Sequence, residues 1–251
     1  MVTEGAHAPS YSDYHGQPLN NNSLVSQLPH GYTNRTRRVG LTIEKCFEGP
    51  DASMRARREF QCLSALKGRL PVPTILEFDE SVPKLVTGNI AGRHGQELID
   101  EGQAQAVLRL IGEQLNSLQR IDPATIPELH GEGDVIVHGD FGPQNMLFAP
   151  DLMSVAALLD WESAHIGSRV EDLAWAEWIV RMHHPCAIAA LPNLYEGARL
   201  SVNWRDRHAA MLARCFQLLE FCEAGNAKDG VAQWKQRLRT TERWTESLSR
   251  E

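Results

Sequence analysis

Residues 138–145 read His138-Gly139-Asp140-Phe141-Gly142-Pro143-Gln144-Asn145 and follow directly on the apolar run Val135-Ile136-Val137. The run predicts a short buried strand and the octet a polar loop hung from its end, where chemistry commonly sits. The octet has the form H-x-D-x-x-x-x-N. A second apolar run, Val155 to Leu159, ends in Asp160-Trp161-Glu162, and Asp160 stands fifteen residues beyond Asn145. Phosphoryl transfer to an alcohol requires a carboxylate at the attacking hydroxyl and oxygen ligands for a metal that neutralises the phosphates. On that chemistry Asp140 is the expected base, and Asn145 and Asp160 are the expected ligands of Mg2+. Asp140-Phe141-Gly142 also spells a metal-binding D-F-G, but the preceding His138 and the following Asn145 give Asp140 the catalytic-loop position and leave Asp160 for the metal.

Upstream of this region, residues 1–27 are rich in Ser, Asn, His, Gly and Tyr without periodicity and read as a mobile tail. Residues 28–88 alternate strand signals, such as Thr42 to Phe47, Thr74 to Phe78 and Lys84 to Val86, with one helix that starts at Gly49-Pro50-Asp51 and stops at Gly68. From residue 89 the pattern is mainly helical. Ala104, Val107, Leu108, Ile111, Leu115 and Leu118 form one apolar stripe, and three further helices are predicted near 171–183, 205–224 and 229–248. The expected architecture is therefore α+β and two-lobed, with a small mixed β/α lobe over 28–88 and a larger, mainly helical lobe over 89–251.

His138-Gly139-Asp140, Asn145, Asp160-Trp161-Glu162 and Asp172-Leu173-Ala174, in that order, resemble the motifs of the aminoglycoside phosphotransferase and choline kinase superfamily. The resemblance reaches over about residues 28–184 and implies a protein-kinase-like fold, with ATP between the lobes and the acceptor on the helical lobe. It also implies a phosphate-covering turn, for which Gly31, Tyr32, Thr33 and Asn34 stand in place, and a strand lysine paired with a helix glutamate. Lys45 is the strand lysine. Glu59 is the chosen partner, because it shares a helix face with Ala56, Cys62, Leu63 and Leu66, and an acid beside an apolar stripe needs a cation.

The 251-residue chain is 42% apolar and 23% charged, with a net charge of -7. That charge argues against a nucleic-acid partner. No apolar run approaches the roughly 18 residues of a membrane helix and no signal peptide is seen, so a cytoplasmic protein without a membrane partner is expected. The five cysteines are scattered and give neither a disulfide framework nor a zinc motif. Residues 91–251 carry fifteen basic against twenty-three acidic residues. That excess, with Glu162, Asp172 and Glu177 near the metal loop, predicts a cationic acceptor, which the resemblance implies is a small, aminoglycoside-like molecule. The alternatives are a metabolic kinase for choline, ethanolamine, a sugar or an amino-alcohol, an ATP-binding regulatory module without turnover, and a metallohydrolase using His138, Asp140, His165 and His183.

Overall fold

A computed structural model describes residues 25–27 and 34–246. Strands β1 (Val25–Gln27), β2 (Asn34–Val39), β3 (Thr42–Phe47), β4 (Ile75–Asp79) and β5 (Lys84–Gly88) form one antiparallel sheet in the order β1-β2-β3-β5-β4. The sheet thus begins at Val25, inside the stretch expected to be tail. Helix α1 (Ala52–Leu66) packs on the sheet through Ala56, Cys62, Leu63 and Leu66, all buried. Side chains two apart on a strand share a face. Lys45 therefore points the same way as the buried Phe47, with its ammonium 4.7 Å from the centre of that ring, rather than outward to solvent.

The remainder is helical with small strands set into it. Strand β6 (Arg93–His94) leads into α2 (Gly95–Asp100) and α3 (Ala104–Leu118), whose Val107, Leu108, Ile111, Leu115 and Leu118 are fully enclosed. Burial of one such side chain is worth roughly 1.5–3 kcal/mol, so this stripe anchors the lobe. Strand β7 (Val135–Val137) pairs with β10 (His165–Gly167), and β8 (Met146–Phe148) lies between β6 and β9 (Val155–Leu158). These two small ladders hold the loops after β7 and β9 beside one another.

Helices α4 (Val170–His183), α5 (Leu191–Ala198), α6 (Trp204–Ala224) and α7 (Lys228–Glu242) complete the chain. The sequence pattern missed α5, which forms by tertiary contact. A Cβ on Gly112 of α3 would come within 2.2 Å of the Leu194 carbonyl oxygen, and one on Gly197 within 2.2 Å of the Arg109 carbonyl oxygen, so the two backbones touch. Helix α7 ends at Glu242 rather than near 248, and Trp244 turns back to lie 6.4 Å from Trp178 of α4. Helix α6 reaches both parts of the molecule, since its end meets α1, with Arg55 5.5 Å from the Phe221 ring. All five cysteines are free, and Cys62 and Cys215 are buried. No helix among the described residues is long and apolar enough to cross a membrane.

Candidate active site

The loop after β7 is fastened from behind. Both oxygens of buried Asp172, in the first turn of α4, accept backbone N–H bonds, from His138 at 2.7 Å and Gly139 at 3.0 Å. His138 lies 2.9 Å through Nε2 from the carbonyl oxygen of Leu159, while its Nδ1 accepts the N–H of Asp140 at 3.2 Å. These contacts make the ring a brace between the two loops. Gly139 has φ +82°, and a Cβ there would lie 2.5 Å from the Ser163 carbonyl oxygen, so only glycine fits.

The Asp140 carboxylate is half-buried and held from three sides. Its Oδ1 accepts from Trp175 Nε1 at 2.8 Å and from Gln144 Nε2 at 3.4 Å, and its Oδ2 accepts from Asn145 Nδ2 at 2.7 Å. Asn145 also donates to the Asp140 carbonyl oxygen, which leaves its own side-chain oxygen as the open acceptor. Trp175 was not foreseen in the sequence, where it reads as one more core aromatic of an apolar helix.

Asp160 takes the left-handed conformation at φ 66°, uncommon for a residue with a side chain and most often kept at functional positions. Its Oδ1 lies 2.6 Å from Lys45 Nζ, which also meets Glu59 Oε2 at 2.6 Å and Glu162 Oε2 at 3.2 Å. Glu59, Asp160 and Glu162 form the only close group of three acidic, His or Cys ligand atoms among the described residues. Burial works against the Lys45 ammonium, but Asp160, Glu59 and Glu162 outweigh it and hold its pKa above the ordinary value. Three carboxylates face Lys45 and the buried Arg55, which is 3.1 Å from Glu162. One negative charge is therefore in excess, and burial pushes the Glu59 carboxyl up to about 7. The oxygen-rich set of Asp160 with the open Asn145 oxygen suits a hard divalent cation such as magnesium.

The other sequence candidates are placed differently. Gly31, Tyr32 and Thr33 lie outside the described residues. Asn34 belongs to β2 rather than to a turn, and its side chain donates to Glu162 at 2.6 Å and accepts from Arg55 at 3.1 Å, so it ties the lobes together. Glu162 faces the same way: with Lys45, Arg55 and Asn34 around it, it is buried at the lobe junction and not presented to an acceptor. Asp172 is committed to the loop backbone. Glu177 is fully enclosed between Arg181 and Arg207, each at 2.8 Å, because α4 turns it toward α6 and not toward the loops. His138, Asp140, His165 and His183 do not assemble into a metal centre; His165 pairs with Glu171 at 2.9 Å, and burial with nearby Arg237 pushes His183 down to about 4.

A sequence profile described as the Phosphotransferase enzyme family matches residues 25–134 and 131–204. The chain belongs to that family. Its family is one of phosphotransferase enzymes, and its fold is mixed α+β and kinase-like. No curated protein matches by sequence. Among solved structures, it is similar to the GDP complex of wild-type aminoglycoside 2'-phosphotransferase-IIIa, at 13% identity and TM-score 0.69, covering 92% of this chain and 94% of that one. The GDP and kanamycin complex of APH(2")-IIIa gives 13% identity and TM-score 0.70 over 92% and 95%. A thermostable mutant of aminoglycoside phosphotransferase APH(4)-Ia with AMP-PNP and hygromycin B gives 17% identity and TM-score 0.64 over 87% and 93%. At these identities the likeness bears on fold.

Proposed function

We propose that the chain transfers the γ-phosphoryl group of magnesium-bound ATP to a hydroxyl of a small molecule, with Asp140 as the base and residues 28–88 and 89–251 as its nucleotide-binding and catalytic lobes. The observation that carries this reading is the convergence of two strand-end loops. Asp140 and Asn145 share one, Asp160 stands on the other, and Lys45 reaches Asp160 from the opposite lobe at 2.6 Å.

Each residue has a distinct task. Asp140, oriented by Trp175 and Asn145, accepts the proton of the attacking hydroxyl and holds its oxygen in line. Asn145 and Asp160 would hold magnesium, which supplies charge neutralisation to the phosphates. Lys45, kept charged and positioned by Glu59, holds the nucleotide phosphates as a point charge. Gly31, Tyr32, Thr33 and Asn34 were read as the phosphate-covering turn; Asn34 instead serves the lobe junction.

An aminoglycoside-like, cationic acceptor draws its support from the kanamycin and hygromycin B named for the relatives and from the acidic excess of residues 91–251. It loses the support of Glu162, Asp172 and Glu177, whose carboxylates have partners inside the protein.

The test is an acceptor library incubated with protein, ATP and Mg2+, read by ADP release and by the mass gain of one phosphate. At least one hydroxylated acceptor should stimulate ADP release in a magnesium-dependent way. Asp140→Asn should retain nucleotide binding and lose about 10²- to 10⁴-fold in kcat. Tight nucleotide binding without any acceptor-dependent turnover would instead make the chain a nucleotide-binding regulatory module.

A further inference from the structure

A cavity of about 480 Å³ lies beside the catalytic loop between α4 and α6. Gly139 and Trp175, the chain neighbour and the hydrogen-bond partner of Asp140, form part of its wall, and α6 adds Asp206, Arg214 and Gln217. The family-profile match ends at residue 204, where α6 begins, so the α6 wall lies outside that match.

The charged groups that face the cavity are not equivalent. Asp172 has both oxygens on backbone N–H groups. Glu171 pairs with His165 and accepts the Ser168 N–H at 2.6 Å. Asp206 is exposed in the first turn of α6, held by Asn203 Nδ2 at 2.7 Å. Arg214 is different. Of its five N–H donors, one reaches Gln217 Oε1 at 3.2 Å and one reaches Ser163 Oγ at 3.3 Å, both neutral acceptors. Its Nε is enclosed and has no partner.

Elsewhere this protein pairs its enclosed guanidinium groups with carboxylates: Arg55 with Glu162, and Arg181 and Arg207 with Glu177. Arg214 forms no such ion pair, and it lines the cavity. Arg214 is partly buried with its Nε enclosed, and although Asp140, Asp172 and Glu171 lie near enough to favour its charge, none forms a direct ion pair with it; an anion bonded to its open donors would complete the pairing. Burial holds the Arg214 pKa below the ordinary arginine value, with Asp140, Asp172 and Glu171 acting the other way.

We infer that Arg214 is an acceptor-binding residue, and that the hydroxylated acceptor carries an anionic oxygen group, a carboxylate or a phosphate, which the Arg214 guanidinium receives. The word acceptor rests on the phosphotransfer reading above; the anion site does not. Arginine presents a planar fork of donors that matches such groups two oxygens at a time. With its charged end on Arg214, the acceptor lies along the Trp175 wall and its hydroxyl is brought toward Asp140. An amine-bearing acceptor would instead seek Glu171, Asp172 or Asp206, whose carboxylates already have partners, so the two acceptor classes make opposite demands on this cavity.

Matched ligand sets test this by equilibrium binding, with and without Mg-ADP. One set is glucuronate, glucose 6-phosphate, glucose and glucosamine; another is glycerate, glycerol and 3-aminopropane-1,2-diol; a third is 3-(hydroxymethyl)benzoate with the corresponding benzylamine. In at least one set an anionic member should bind most tightly, and comparison of glucuronate with glucose 6-phosphate separates carboxylate from phosphate. Arg214→Gln should weaken the anionic members about 10- to 100-fold and leave neutral members unchanged, with Arg214→Lys intermediate. A purely structural Arg214 would lower the melting temperature and weaken all members alike, which overturns the inference, as does equal or tighter binding of amines or no anion binding in any set. Anion binding at Arg214 without phosphoryl transfer would sink the kinase reading and leave this site standing.

Discussion

Nζ of Lys45 on β3 and Oδ1 of Asp160 after β9 are 2.6 Å apart, although 115 residues separate them in the chain. The cation assigned to the nucleotide phosphates and the anion assigned to magnesium thus neutralise one another across the lobe junction. Mg-nucleotide has to take up both charges together, phosphate on Lys45 and metal on Asp160. Asp160→Asn should therefore weaken Mg-ATP binding by at least about tenfold, the scale of losing a metal-supporting group, while metal-free ATP binding changes little. Calorimetry with and without Mg2+ separates the two; equal affinities for wild type and variant in the presence of Mg2+ would remove Asp160 from the metal site.

Trp175 holds Asp140 by its indole N–H at 2.8 Å and stacks on Trp178 with centroids 4.4 Å apart. Trp175→Phe keeps the stack and removes the donor. The expected result is a loss of about tenfold in kcat, the worth of one hydrogen bond to a charged group, with an unchanged KM for ATP. A melting temperature close to that of the parent would show that the fold had not been the cause.

Glu177 bridges Arg181 and Arg207 inside the helical region. Glu177→Gln leaves two enclosed guanidinium groups without their carboxylate and should cost about 3–5 kcal/mol of stability. Denaturant unfolding reads this directly. Acceptor preference should not change, contrary to what the position of Glu177 in the sequence led us to expect.

Stability should depend on pH through His165 and Glu171. Burial disfavours the His165 imidazolium, but the Glu171 carboxylate and the Ser163 carbonyl outweigh it and raise its pKa above 6.5. Its contribution is thus complete below about 6.5 and is lost as pH rises through the raised folded value. Glu171 is opposed by burial yet held below 4.5 by His165 and the Ser168 N–H, so its share is present above about 4.5 and is lost as pH falls through the lowered value. The gap in melting temperature between wild type and His165→Gln should be widest between about pH 4.5 and 6.5 and narrow toward pH 9. A constant gap would show that His165 does not gain a proton on folding.

The legible parts of the site were those in which chemistry dictates local spacing. Asp140 and Asn145 sit on one loop, and both strand-end loops are announced by apolar runs. The resemblance implied a strand lysine with a helix glutamate, the apolar helix face singled out Glu59 as that glutamate, and the structure brings Lys45 and Glu59 to 2.6 Å. What stayed hidden depends on the relative placement of distant elements. Nothing near Glu162 in sequence says that Asn34 and Arg55 surround it. The Trp175 indole looks like core until α4 is laid against the catalytic loop. Arg214 is one of several arginines on a polar helix, and its enclosure follows only from the packing of α6 on α4. Strands β8 and β10, three residues each, are too short to carry a periodic signal of their own.

Helix α6 carries Arg214 in the cavity wall and, two turns further on, Phe221 against Arg55, the guanidinium that grips Glu162 at the lobe junction. The cavity beside the catalytic loop and the lobe junction therefore share one helix. We predict that filling the cavity changes nucleotide affinity through the Phe221–Arg55 contact of α6. Thermodynamic reciprocity then equates the two effects: the factor by which bound acceptor alters nucleotide affinity is the factor by which bound nucleotide alters acceptor affinity. If the two sites are coupled, Phe221, against Arg55 and two turns from Arg214, is the position at which substitution should change that shared factor.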